Sequence, residues 1–353
     1  MIETRAPGKL YIAGEYAVVE PGGAAVVVAV DRFVTVSATD AAENSLTSTH
    51  YGADPLRWRR HREGVEVTGS RPFDAVIAAL DTVEAFAVAS GRAERTLSVK
   101  IDSALDHVSG AKFGLGSSAA VVVATVRALG LAHGLELDDA TVLRLALLAT
   151  WRVNASGSGG DVAASTLGGW VDYRSGDARA VLARYDSVGV AATLGDSWDG
   201  LSAVPLPAPA DLGLLVGWTG SPASTSALVE HSRVGRGSAA EEFREFCVES
   251  DSTVAALVGA IRAGDDARAE TAIRRARAAL ATHAALSGIT IETPELVRLC
   301  AIAERHGAAA KSSGAGGGDC GIALAGPEAD RAALFADWLA AGIRPLDLEV
   351  AAI

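Results

Sequence analysis

Apolar positions recur along this chain with two periods, and the period predicts the element. Leu10-Tyr11-Ile12-Ala13 and Ala24 to Val30 are short apolar runs punctuated by Gly14 and Pro21-Gly22-Gly23, and Phe33, Val34 and Val36 continue the pattern; all read as strands and turns. Residues 40–70 are polar and carry Arg57, Arg59 and Arg60, which predicts a loop or a solvent-facing hairpin, with a basic binding patch as the alternative. From 73 to 90, Val76, Ile77, Leu80, Val83, Phe86 and Ala87 fall at helical spacing, and Leu97 to Ile101 alternates as a strand does. Helices are predicted over Val121 to Leu131 and from Asp138-Asp139 to about Trp151, then a strand over Gly169 to Tyr173. Gly195, Gly200, Pro205, Pro207 and Pro209 crowd residues 195–210, which sets a domain boundary there, 1–205 against 206–353. The second half opens with the apolar strand Leu212 to Trp218. Helices over roughly 238–263, 265–286 and 293–305 follow, then the apolar segment Gly321 to Leu324, a helix over 327–341 and a last strand near 346–352.

Three small-residue stretches interrupt these elements. The central one is Lys112-Phe113-Gly114-Leu115-Gly116-Ser117-Ser118-Ala119-Ala120. Its glycines let the backbone turn tightly and approach a ligand. Its serines stand where the first N–H groups of a helix lack partners and the helix dipole adds positive charge, which makes an anion site. A capped helix after a tight turn fits the same residues, since Ser is a preferred cap. The second stretch, Ala155 to Ser165, contains Gly159-Gly160-Asp161, and the third is Lys311-Ser312-Ser313-Gly314-Ala315-Gly316-Gly317-Gly318-Asp319-Cys320. No G-x-x-x-x-G-K-[ST] pattern is present, and the Gly314 to Gly318 run lacks the spacing of a dinucleotide fingerprint.

Composition narrows the field. The net charge of −12 argues against a nucleic-acid or anionic-membrane surface and leaves small anionic ligands open. Lysine is rare: of Lys9, Lys100, Lys112 and Lys311, three lie in or beside a glycine-containing segment. Cys247, Cys300 and Cys320 are scattered without metal-ligand spacing, which points to a reducing, cytoplasmic setting. Neither a secretory signal nor a membrane span is expected.

With Pro7-Gly8-Lys9-Leu10-Tyr11-Ile12-Ala13-Gly14-Glu15-Tyr16-Ala17-Val18 at the start, the central Gly-Leu-Gly-Ser-Ser-Ala-Ala and the late Lys311 to Cys320 stretch, the chain resembles the GHMP kinases from Pro7 to Leu324. Within them it is most similar to the phosphomevalonate kinase branch, on Gly-Gly-Gly-Asp-Cys-Gly, on Lys112-Phe113 before the central motif, and on Gly217 to Thr225. The resemblance implies an α+β, two-domain GHMP kinase fold, with an N-terminal domain like ribosomal protein S5 domain 2 and a ferredoxin-like C-terminal domain. It implies ATP and Mg2+ as cofactors and 5-phosphomevalonate as acceptor, with monomer or homodimer left open. It assigns Lys9 and Asp161 to catalysis. Lys112, Gly114, Leu115, Gly116, Ser117, Ser118 and Ala119 go to the ATP phosphates, with Ser117 or Ser118 on Mg2+. Tyr16, Arg152, Ser221, Lys311, Ser312, Gly314, Gly316 and Gly317 are candidates for the acceptor side, joined by Lys100, Ser224 and Thr225. Mevalonate kinases carry a Mg2+-binding Glu on the helix before the catalytic Asp, whereas Ala140 to Gly160 here contains no acid. Mevalonate kinase or another small-alcohol kinase of this family is the alternative activity, and a non-catalytic ligand sensor the remoter one.

Overall fold

Two sheets follow one another in the computed structural model, which describes residues 1–49, 55–61, 64–68, 74–105, 113–221, 228 and 240–352. Strands β1 (Ile2–Ala13), β2 (Ala24–Asp40), β3 (Ser45–Ser48), β4 (Leu56–His61), β5 (Gly64–Thr68), β6 (Leu97–Ser103), β7 (Trp170–Arg174) and β8 (Ser202–Leu206) form the first. Its order is β5-β4-β3-β6-β2-β7-β8, with β1 paired to β2. Helices α2 (Ser117–Ala132) and α4 (Gly160–Leu167) pack on β1 and β2, and α1 (Asp74–Ala89) and α3 (Asp139–Val153) pack against α2. The second sheet contains β9 (Gly213–Trp218), β10 (Ala308–Ser312), β11 (Cys320–Ala325) and β12 (Arg344–Leu346) in the antiparallel order β10-β11-β9-β12. Helices α7 (Ala240–Ala263), α8 (Asp266–Ser287) and α9 (Pro294–Arg305) connect β9 to β10, and α10 (Arg331–Ala340) connects β11 to β12. That connectivity is the split βαβ arrangement of a ferredoxin-like sheet.

Burial explains the two patterns within β2. Ala24 to Val30 are all buried, whereas from Val34 to Ala38 only alternate residues are. The first half lies between β1 and β7, under α2 and α4 on one face and against α7 on the other, where Asp251 of α7 accepts the Ala24 N–H at 3.0 Å. The second half keeps one face toward solvent, so its apolar residues fall two apart.

Several expectations are corrected. Ser45–Ser48, Leu56–His61 and Gly64–Thr68 are strands whose Leu46, Leu56 and Trp58 are buried, so this is more than a solvent-facing hairpin. Leu56 and Trp58 alternate with Arg57 and Arg59, and two apolar positions per strand suffice to cover one face. The stretch around Asp161 is a helix, α4, whose small Ala163, Ala164 and Ser165 sit directly on β1. Helices α5 (Ala178–Val188) and α6 (Val190–Gly195) occupy a stretch with no predicted element. The last strand is Arg344–Leu346, and the tail beyond it returns to the first sheet, where Val350 bridges Val30 and the Gly169 N–H donates to Ala351 at 2.7 Å. Among the described residues no helix is long and apolar enough to cross a membrane.

Candidate active site

The N-terminal and central glycine stretches meet at Lys9. The β1–β2 register shifts between Pro7 and Gly8, a bulge that re-aims the following side chains. The Pro7 carbonyl there accepts the Ser165 hydroxyl of α4 at 2.8 Å. Gly8 presses on the central loop, since an added Cβ would stand 2.8 Å from the Leu115 carbonyl, and the Lys9 N–H donates to that carbonyl at 2.8 Å. The Lys9 stem then crosses Gly116: a Cβ on Gly116 would meet its Cε at 2.7 Å. Its ammonium ends 5.3 Å from the Tyr11 ring centroid, a cation–π distance. Residues two apart on one strand share a face, so Lys9 and Tyr11 point the same way.

Gly114 and Gly116 have φ of +79° and +77°, a left-handed backbone that glycine adopts without steric cost. They bring the chain to Ser117, the first residue of α2. The N-cap is Gly116, which offers no side chain to the helix N–H groups. Those groups therefore remain open toward the loop. Ser117 is half-buried and Ser118 exposed.

Asp161 stands in the first turn of α4, at the positive end of the helix dipole. Two glycines precede it because two phenols crowd the turn: a Cβ on Gly159 would lie 2.7 Å from the Tyr173 hydroxyl, and one on Gly160 2.6 Å from that of Tyr11. Tyr11 shares a 2.7 Å hydrogen bond with the Ser158 hydroxyl, and Tyr173 donates to the Ser158 carbonyl at 2.6 Å. Burial, and after it the charge of Asp161, raises the Tyr11 pKa; burial, then Tyr11 and Asp161, raises that of Tyr173. The carboxylate is thus within electrostatic reach of the ring that Lys9 approaches.

The late glycine stretch is tied into both. Ser313 accepts the Tyr11 N–H and donates to the Tyr11 carbonyl, each at 3.0 Å. Cys320 donates to the Phe113 carbonyl at 3.0 Å, and burial raises its thiol pKa. The side chain of Asp319 lies on the central loop, since a Cβ on Gly114 would meet its Cγ at 2.6 Å.

Other candidates are placed elsewhere. Lys311 is fully buried, ion-paired to Glu15 and donating to the Ser312 carbonyl at 2.6 Å. The Gly314 N–H donates to Glu15 at 3.3 Å and the Gly317 N–H to the Ile291 carbonyl at 2.8 Å. Gly316 lets Ile291 approach, its added Cβ falling 2.3 Å from that carbonyl. Ser312 is buried with its hydroxyl unpartnered among the described residues. Tyr16 is buried beside His283, with a left-handed backbone at φ 63°, and donates to the Ala315 carbonyl at 2.5 Å. These residues brace the late loop from inside. Arg152 turns to α1, bonding Asp81 at 2.6 Å and Thr82 at 2.9 Å. Ser221 is exposed and its carbonyl accepts the Asp319 N–H at 2.8 Å; Lys100 is exposed on β6. Lys112, Ser224 and Thr225 lie outside the described residues. Sequence reasoning gave Tyr11, Ser158 and Tyr173 no role, and only the placement of Tyr11 two residues from Lys9 signalled one.

For a divalent cation, no group of three or more His, Cys, Asp or Glu side chains exists among the described residues. The hydroxyls of Ser117 and Ser118 are oxygen donors of the kind a hard cation takes. The donor set fits an ion carried largely by a bound nucleotide, not one caged by protein.

Comparison with known proteins agrees with this geometry. The GHMP kinases N terminal domain model matches residues 75–169 and the GHMP kinases C terminal model residues 257–344. A phosphomevalonate kinase of Streptomyces sp. (strain CL190) is 45% identical over 98% of this chain and 96% of its own. The structure of a Listeria innocua protein superposes with TM-score 0.93 at 31% identity, covering 99% of this chain and 98% of that one. Streptococcus pneumoniae phosphomevalonate kinase in complex with phosphomevalonate and AMPPNP superposes with TM-score 0.88 at 29% identity, covering 99% and 100%.

Proposed function

The chain belongs to the GHMP kinases, within them to the phosphomevalonate kinases, and from that premise we propose how its residues divide the work. It is an ATP-dependent phosphotransferase that moves the γ-phosphoryl group of ATP onto the phosphate of 5-phosphomevalonate, giving 5-diphosphomevalonate and ADP in the mevalonate route to isoprenoids. Such a transfer needs in-line positioning and charge neutralisation more than covalent chemistry.

The observation that carries the assignment is the path of Lys9, from the backbone of Gly116 to the ring of Tyr11. One ammonium thereby reaches both the nucleotide cradle and the Asp161 side. Lys9 balances the charge shared by donor and acceptor phosphates. The N–H groups from Gly114 to Ala119 cradle the ATP phosphates, with Lys112 beside them. Mg2+, when bound, neutralises phosphate charge, and Ser117 or Ser118 offers it a hydroxyl. Ser221 and the late glycine loop form the acceptor wall, with Tyr16, Lys311 and Ser312 supporting it from the interior, while Arg152 is engaged by Asp81 of α1.

Asp161 positions more than it deprotonates. The acceptor is a phosphate monoester whose second pKa is about 6, so it is largely dianionic near neutral pH and needs little general base. Asp161 instead orients Lys9 and any residual acceptor proton. The test is the pH–rate profile of Asp161→Asn with 5-phosphomevalonate and with mevalonate as acceptors. Turnover with the phosphorylated acceptor alone, and an Asp161→Asn defect independent of pH, are expected. A defect relieved as pH rises would restore the base role.

The division of the chain at 205/206 is supported by its passage from the first sheet to the second between Leu206 and Gly213. The net charge of −12 supports small-molecule partners over nucleic acid, and three cysteines outside any disulfide support a cytoplasmic setting. Light scattering decides between monomer and homodimer.

A further inference from the structure

We propose that Tyr11 is the positioning residue that fixes the Lys9 ammonium relative to the Asp161 turn, its ring holding the lysine and its hydroxyl the turn; this rests on the kinase reading above and deepens it.

The two residues given to catalysis stand on different elements, Lys9 on β1 and Asp161 on α4. A lysine ammonium ends a flexible four-carbon stem, and a reacting or stabilising group misplaced by about 1 Å can cost about a hundredfold in rate. The stem must therefore be held, and held relative to α4.

Tyr11 touches both sides. Its ring centroid lies 5.3 Å from Lys9 Nζ, near enough for the ring quadrupole to attract the ammonium. Gly116 bounds the same stem, since a Cβ there would stand 2.7 Å from Lys9 Cε. At the far end of the ring, the phenol oxygen shares a 2.7 Å hydrogen bond with the Ser158 hydroxyl, which accepts the Gly160 N–H at 3.4 Å. The Asp161 N–H supports the same phenol oxygen. Gly160 is bare where the phenol rests, an added Cβ meeting the hydroxyl at 2.6 Å. One side chain thus spans from the lysine to the residue before Asp161.

The ring is itself anchored. Ser313 Oγ accepts the Tyr11 N–H and donates to the Tyr11 carbonyl, each at 3.0 Å, so the late loop pins β1 at this residue. The side chain is buried, and burial, with the Asp161 charge after it, keeps the phenol protonated far above the ordinary range. Phenylalanine would fill the same space and keep the ring contact. The hydroxyl adds the tie to Ser158, which makes the ring a link between two elements.

The test is steady-state ADP release from ATP, Mg2+ and 5-phosphomevalonate by the full chain. Tyr11→Leu loses ring and hydroxyl and is expected to lower kcat about a hundredfold, with KM for both substrates near that of the parent. Tyr11→Phe keeps the ring and should lose only about fivefold. In a Lys9→Met background, Tyr11→Leu should have little further effect, because the ammonium it orients is gone. Parent-like kcat in Tyr11→Leu, an equal fold-loss in both backgrounds, or a raised KM at constant kcat overturns the positioning role. Where Tyr11→Leu fails to fold, Tyr11→Phe and Ser158→Ala decide. They remove the same hydrogen bond, so each should lower kcat alike and the double variant no further; additive losses, or parent-like kcat in both, overturn the proposal. A parent chain that releases no ADP with 5-phosphomevalonate overturns the kinase reading itself, and this proposal with it.

Discussion

Two lysines in glycine-containing segments have opposite fates, and their partners explain why. Lys9 has a glycine beneath its stem and a ring beside its ammonium, so its charge stays available to a ligand. Lys311 is fully buried and held by Glu15, 296 residues away in sequence. Lys9→Met is expected to lower kcat by about 10²–10³-fold, the usual loss when one transition-state electrostatic contact is removed, while the unfolding midpoint stays near that of the parent; steady-state kinetics and urea denaturation check both. Glu15→Gln is expected to act on stability, since an uncompensated buried charge costs about 3–5 kcal/mol. Adding Lys311→Met should recover part of that loss in the same urea experiment, because the pair is then removed as a unit. A larger loss in the double variant than in the single would contradict the ion-pair account.

At the level of elements, the central loop and α2 act with β1 as one device. The loop needs a left-handed backbone at Gly116 to reach the helix, and the same missing Cβ gives Lys9 its path. Gly116→Ala therefore carries two penalties, about 1–2 kcal/mol of backbone strain and a collision with the lysine stem. Its kcat is expected to fall toward that of Lys9→Met. A double-mutant cycle should show strong non-additivity, since both changes remove the same ammonium; additive losses would mean that the loop and Lys9 act separately. The elements themselves differ in how plainly the sequence announces them. α3 was plain because Asp138 caps it, accepting the Thr141 N–H at 2.8 Å, ahead of a periodic apolar face. α4 was hidden because its buried face is built from Ala163, Ala164 and Ser165, which carry almost no periodic signal yet allow close approach to β1.

For the molecule as a whole, the two halves are joined at several points. Tyr16 and Ala17 of the first half pack with Phe246, Leu280 and Ala315 of the second. The C-terminal tail returns to β2, and Cys320 reaches back to Phe113. A site assembled from both halves requires such closure. The cysteines report on it. Burial pushes the Cys300 thiol up to about 12 and the Cys320 thiol higher still, while Cys247 is only half-buried. Titration with a disulfide reagent at pH 8 is expected to find one fast thiol in the native chain and all three in guanidinium. Fast reaction of Cys320 in the native chain would mean that the contact between late and central loops opens readily.

The sequence by itself determined the periodic elements, the glycine positions that force tight turns, and the order of three motifs, because these depend on residues close together along the chain. Through the resemblance that those motifs carry, it implied the fold and the reaction. Tertiary structure decided which side of the late loop faces the cleft, turning Lys311, Ser312 and Tyr16 inward and Asp319 onto Gly114. Those outcomes rest on burial and on partners up to about 300 residues distant. A charge is catalytic or structural according to what surrounds it, and those surroundings exist only once the two sheets have come together.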